Sequence, residues 1–238
     1  MKRFALFSIA ALALCAAPAA AQVPPPPSYH YVLPENAIRF RLGLFMPQAE
    51  GDYFDSVFTD FTGSSDDFED WTFGIDYTHS LVPMLDIIAG GSYYESSQSQ
   101  EYRDFVDSDG LPIVHDTSLQ ISNFDVGLRV KLAPEHLPVV PYVGGGGSLV
   151  TYRLIEHGDF ISFNPPAPTI FFDHFEAEGV GFGYFLLAGL DINFNQYFGM
   201  FVEGRWRDAK DDLADDFSDF GEIDLSGTEV TGGLIWRF

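Results

Sequence analysis

Ile38-Arg39-Phe40-Arg41-Leu42-Gly43-Leu44 alternates without a break: even positions are apolar, odd positions are arginine or glycine. Successive side chains of an extended strand point to opposite faces, so this two-residue beat describes a strand with one greasy and one polar face. Trp71-Thr72-Phe73-Gly74-Ile75-Asp76-Tyr77-Thr78 repeats the contrast. Six further segments carry it at about 85–94, 118–132, 142–152, 179–193, 199–207 and 227–238. Each is close to the roughly 9–11 residues that a tilted strand needs to cross a bilayer. Helical spacing is nearly absent; Lys210 to Phe217 is the one place where a short helical turn is expected.

The apolar face of these segments carries no charge. The opposite face holds seven basic residues, Arg39, Arg41, Arg129, Lys131, Arg205, Arg207 and Arg237, and six acidic ones, Asp76, Asp86, Asp125, Asp191, Glu203 and Glu229. A soluble ligand-binding barrel turns its apolar face inward, and a membrane barrel turns it outward. Three features favour the membrane. The charged face is rich in small residues (Gly43, Gly74, Gly90, Gly127, Gly144, Gly146, Gly189, Gly233), as a crowded lumen requires and bulk water does not. Trp71, Tyr77, Tyr93, Tyr184, Trp206, Trp236 and Phe238 sit near strand ends on the apolar face, where bilayer interfaces favour aromatic rings. The connections alternate between long (47–70, 95–117, 153–178, 208–226) and short (79–84, 133–141, 194–198), the habit of outer loops and periplasmic turns. The expected fold is therefore all-β: an eight-stranded antiparallel up-and-down transmembrane β-barrel with short periplasmic turns and long extracellular loops. One segment breaks phase: the apolar set changes parity between Ile121 and Phe124, through either a bulge or a strand that continues above the bilayer.

The chain has 238 residues, 12 Lys+Arg against 35 Asp+Glu, and a formal net charge of −23. That balance excludes the basic face of a nucleic-acid binder. Lys2 and Arg3, the apolar run from Phe4 to Ala17, and Ala19-Ala20-Ala21 describe a signal peptide, 1–21, cut after Ala21. The lone cysteine, Cys15, would suit a lipoprotein anchor only after a small residue, and Leu14 is not small. Residues 22–36 contain Pro24-Pro25-Pro26-Pro27 and read as an extended periplasmic segment ahead of a barrel domain at 37–238.

The ending Gly232-Gly233-Leu234-Ile235-Trp236-Arg237-Phe238, with Pro141-Tyr142-Val143-Gly144-Gly145-Gly146-Gly147 and Phe201-Val202-Glu203-Gly204-Arg205-Trp206, resembles the outer membrane protein beta-barrel domain family, the porin-like and opacity-protein-like eight-stranded barrels. The resemblance implies a Gram-negative outer-membrane location. It also implies recognition of Leu234, Trp236 and Phe238 by the barrel assembly machinery. It brings no defined activity.

Eight strands leave a lumen about wide enough for side chains to fill. The thirteen charges are thus expected to form a paired plug, with Arg41, Asp125, Glu203 and Arg205 near mid-depth and Arg39, Asp76, Asp86, Arg129, Asp191 and Arg237 nearer the periplasm. A small porin passing ions or solutes is the alternative. The four long connections hold 27 acidic residues against Arg103, Arg153 and Lys210. They are candidates for gathering divalent cations, Ca²⁺ or Mg²⁺, or surface ligands, against the plainer reading of solvation and repulsion. Asp107-Ser108-Asp109-Gly110 lacks the first ligand of a calcium loop, because Phe105 stands there, and reads as a hairpin tip. His79 and Ser80 are adjacent and so face opposite ways, and His30, His115, His136, His157 and His174 are scattered. No catalytic residue, metal site or cofactor is expected, and the partners are outer-membrane lipid and the assembly machinery around a monomer.

Overall fold

The structure, a computed structural model, describes residues 33–163, 168–218 and 220–238. The expected signal peptide and nearly all of the proline-rich segment lie outside the described residues. The strands are β1 (Asn36–Pro47), β2 (Asp70–Val82), β3 (Leu85–Val106), β4 (Pro112–Lys131), β5 (Val139–Ser162), β6 (Thr169–Asn193), β7 (Phe198–Asp212), β8 (Glu222–Asp224) and β9 (Gly227–Arg237). Each of β1 to β7 pairs antiparallel with the next, β7 pairs with β9, and β9 pairs with β1. Eight strands therefore close into a ring with no free edge in the bilayer, where an unpaired amide has no water to bond. The ninth, β8, is a three-residue strand in the last loop that pairs only with the top of β7.

The ring is inside out relative to a soluble protein. Phe40, Leu42, Phe73, Ile75, Val126, Leu128, Leu186, Val202 and Leu234 all lie exposed on its outer surface, while all thirteen strand charges are buried within. One glycine shows how tight the interior is. Gly90 stands opposite Asp76, and a Cβ there would fall 1.9 Å from the Asp76 carboxylate.

The strands run far beyond the bilayer. β5 has 24 residues and β6 has 25, more than twice a span. The expected long connections 95–117 and 153–178 are consequently corrected: both are mostly strand, with β3 and β4 joined through 107–111, β5 continuing to Ser162 and β6 beginning at Thr169. The Asp107-to-Leu111 stretch is a tight tip, with Gly110 N bonding Asp107 O at 2.9 Å.

This extension also accounts for the phase break on β4. Pairing through 117–125 is continuous with both neighbours, so there is no bulge. Odd-numbered residues point inward throughout: Arg129 and Asp125 low in the strand, Ile121, Leu119 and Ile113 higher up. What changes is the solvent. Within lipid the outer face is apolar and the inner polar; above it, water outside and a protein core inside reverse the preference.

That upper core was not expected from the sequence. Phe45, Tyr94, Leu119, Ile121, Val150, Tyr152 and Leu154 from the wall pack against loop residues Tyr53, Phe54, Val57, Phe68, Leu213, Phe217, Ile223 and Leu225. The first loop forms a helix, α1 (Asp52–Asp60), which corrects the expectation of helix only near Lys210 to Phe217; there the structure has a single 3₁₀ turn, Asp215–Phe217. Helix α1 starts after Gly51, whose φ of 94° suits glycine, with Asp52 and Asp55 at its positive end. It buries Tyr53, Phe54 and Val57 on one face.

If the lipid belt lies where the exposed apolar residues place it, Leu128→Arg should cost about 2–4 kcal/mol as a midplane charge. Val114→Arg, on the same outer face of β4 but above the belt, should cost less than about 0.5 kcal/mol. Urea unfolding from lipid vesicles measures both, and equal costs would remove the assignment of the belt.

Candidate functional site: a charged lumen under an aromatic mouth

Each inward-facing charge comes from alternate positions of a strand whose other side chains face lipid, so the register that exposes Phe40 also buries Arg39 and Arg41. Arg205 lies at the centre. Its Nη1 is 2.6 Å from Asp125, and its Nη2 is 2.8 Å from Glu203 and 3.3 Å from Asp76. Arg207 joins Asp125 at 2.9 Å to Glu229 at 2.8 Å. Arg41 joins Glu229 at 3.4 Å to Asp76 at 3.3 Å. These contacts close a ring of alternating sign: Arg205, Asp125, Arg207, Glu229, Arg41, Asp76.

From Glu203 the chain of pairs continues toward the short turns. Arg39 lies 3.5 Å from Glu203 and 2.7 Å from Asp191. Arg129 spans Asp191 at 3.0 Å and Asp86 at 2.5 Å, and Lys131 joins Asp86 to Glu135 at 2.8 Å each. Arg237 Nη2 donates to Asn193 at 2.5 Å. Strand β5 adds no charged side chain to this lumen network, yet its Tyr142 hydroxyl accepts from Arg39 at 2.6 Å and donates to Glu203 at 2.9 Å. Its Ser148 donates to Asp125 at 2.6 Å. All eight ring strands are thereby tied into one network. Rings cover the guanidinium faces: Phe201 lies 3.9 Å from Arg39, Tyr142 4.6 Å from Arg129, and Phe185 5.0 Å from Arg205. The sequence reading missed Tyr142, Phe185 and Phe201, although their inward parity was available to find them. It also placed Asp76 too far from the centre, where Asp76 instead meets Arg205.

Buried charges are costly to separate, since removing one partner leaves the others uncompensated. Arg205→Met should destabilise the barrel by about 3–5 kcal/mol. Arg153→Met removes a half-exposed surface pair with Glu176 and Glu178 and should cost less than about 1 kcal/mol. Urea unfolding separates the two cases.

Above the lumen the chemistry changes. Glu156 on β5 is buried beneath α1, where the Tyr53 hydroxyl donates to it at 2.5 Å. Burial lifts its carboxyl to about 7, with the Tyr53 bond a lesser opposing influence. His115 on β4, which the sequence treats as a lone loop residue, is also buried, among Phe61, Phe160 and Tyr102. Burial pushes it down to about 4, so it is neutral at physiological pH. Glu156, with Phe61, Tyr102 and Phe160, lines a cavity of about 270 Å³ at the mouth. His79 and Ser80 keep separate partners, Asn36 and Asp86. Among the described residues no three His, Cys, Asp or Glu side chains assemble into a group that could hold a metal ion. The acidic loops thus bring carboxylates to the surface without a cation cage in the described part.

Because the Glu156 pKa is raised on folding, its contribution to stability is complete below the unfolded value near 4.5 and is lost as pH rises through about 7. Amides of α1 should therefore exchange more readily, after correction for intrinsic rates, at pH 8 than at pH 5. Glu156→Gln should flatten that difference; an unchanged pH response would exclude Glu156 as its source.

Leu234, Trp236 and Phe238 stand exposed on the outer surface at the end of β9, with the Trp236 and Phe238 rings 5.5 Å apart. No family model and no curated protein matches the chain. Among solved structures, the outer membrane protein OprG from Pseudomonas aeruginosa aligns with a TM-score of 0.54 at 10% identity, covering 87% of this chain and 96% of that one. Neisserial surface protein A aligns with a TM-score of 0.48 at 10% identity, covering 85% and 96%. The closed ring, the apolar outer belt and the alignment with OprG agree: by fold, the chain is an eight-stranded antiparallel transmembrane β-barrel.

Proposed function

We propose that the protein is a closed outer-membrane barrel whose work is structural or at the cell surface, not transport through its own lumen. It resides in the outer membrane, surrounded by lipid. The observation that carries the closed reading is the continuous network from Lys131 to Glu229, capped by α1 and the last loop. The space left among Arg129, Asp191 and Arg237 at the periplasmic end is about 30 Å³, room for about one water. A hydrated ion passing this interior would have to break several buried ion pairs at once. Assembly by the barrel machinery through Leu234, Trp236 and Phe238, and a monomeric state, belong to the same reading. The long ribbons β3–β4 and β5–β6 and the acidic loops then form the surface on which contacts with ions, matrix or other cells are made.

Planar bilayers containing the purified protein should show no stable conductance steps. Arg205→Met together with Arg207→Met, which opens the central ring, should produce them if the protein folds. Regular steps from the unaltered protein would replace this reading with that of a small porin.

A further inference from the structure

The cavity at the extracellular mouth carries a chemistry that the closed barrel does not use. Its lining includes seven aromatic rings, among them Phe61, Tyr102, Phe175 and Phe217, and three carboxylates, Glu156, Asp60 and Asp216. Among the described lining residues there is no lysine, arginine or histidine. Glu156 is buried at the base, whereas Asp60 and Asp216 are exposed at the rim. At about 270 Å³ the space exceeds the roughly 150 Å³ known to hold a benzene ring.

We propose that this cavity binds a compact organic cation, an amine or quaternary ammonium group on a small apolar body. Three observations favour a cation over a neutral or anionic guest. Aromatic faces present negative potential and attract cations strongly where water is excluded. The buried Glu156 has a hydroxyl donor in Tyr53 but no cationic partner in the lining, and a guest cation would supply one. The surrounding loops are overwhelmingly acidic, which raises the local concentration of cations and repels anions. Wall residues on β3, β5 and β6 and loop residues from α1 and the last connection together build the cavity, so it exists only in the closed ring. None of its lining residues belongs to the ion-paired lumen, so occupancy does not require a conducting barrel.

The test is calorimetric titration of the full chain in maltoside micelles at pH 8 and about 0.15 M salt, where charges farther apart than about 8 Å are screened. The probes are benzyltrimethylammonium, benzyl alcohol and phenylacetate. The cation should bind one per chain and at least about tenfold more tightly than the alcohol, and phenylacetate should give no binding heat. Glu156→Gln should weaken the cation about tenfold and leave benzyl alcohol unchanged. Asp60→Asn, an exposed change that spares the packing, should weaken the cation about two- to threefold and so keeps the test alive if Glu156→Gln fails to fold. Equal affinity for cation and alcohol would reduce the site to a plain apolar cavity. Cation binding untouched by either substitution would reduce it to attraction by the acidic surface. Either result, or no cation binding at all, overturns the proposal.

Discussion

The placement of Arg205 among Asp125, Asp76 and Glu203 is the constraint around which the barrel is organised. A guanidinium presents a rigid fork of donors, and here three carboxylates from three strands converge on it. Removing any one of these groups would leave the others as uncompensated buried charges. Because strand side chains alternate, the same register that brings these groups together sends Leu186, Val202 and Leu128 to the lipid. A slip of one residue in any participating strand would exchange the two sets, placing charge in hydrocarbon and leucine among arginines. The ion pairs are therefore less a source of net stability than a device that makes one register acceptable.

The molecule solves two solvation problems with one set of strands. In the bilayer it keeps polar groups inside because lipid offers them nothing. Above the bilayer the same strands, in unbroken pairing, enclose leucine, phenylalanine and tyrosine because water lies outside. Ile121 and Asp125 face the same interior only four residues apart, and they mark the level at which the rule reverses. Helix α1 and the last loop complete the upper storey, filling with aromatic side chains the mouth that eight strands leave open.

The alternation from Ile38 to Leu44 was enough to indicate strands, and the segregation of Arg39, Asp76 and Glu203 from their apolar neighbours indicated which way the faces turn. Both signals are local. The extension of β3 to β6 beyond the bilayer was harder to read, because Ser96, Thr117 and Gly158 dilute the pattern once water replaces lipid. Helix α1 was hidden because Tyr53, Phe54 and Val57 are poor helix formers by intrinsic preference, and their burial in the barrel mouth supplies what propensity does not. The contacts of Glu156 were beyond local reading altogether: its partner Tyr53 lies 103 residues away, and nothing near either residue announces the meeting.

The bond from Arg41 to Glu229 joins residues separated by 188 positions, and β1 lies beside β9. The central ring of alternating sign can close only after the last strand has found the first. Long-range closure of this kind makes folding slow and steeply cooperative. Until that moment, seven strands would hold a row of unmatched ions at an open seam. The nascent polypeptide consequently has no comfortable half-built state within hydrocarbon, where unpaired strand edges and unmatched ions find no water.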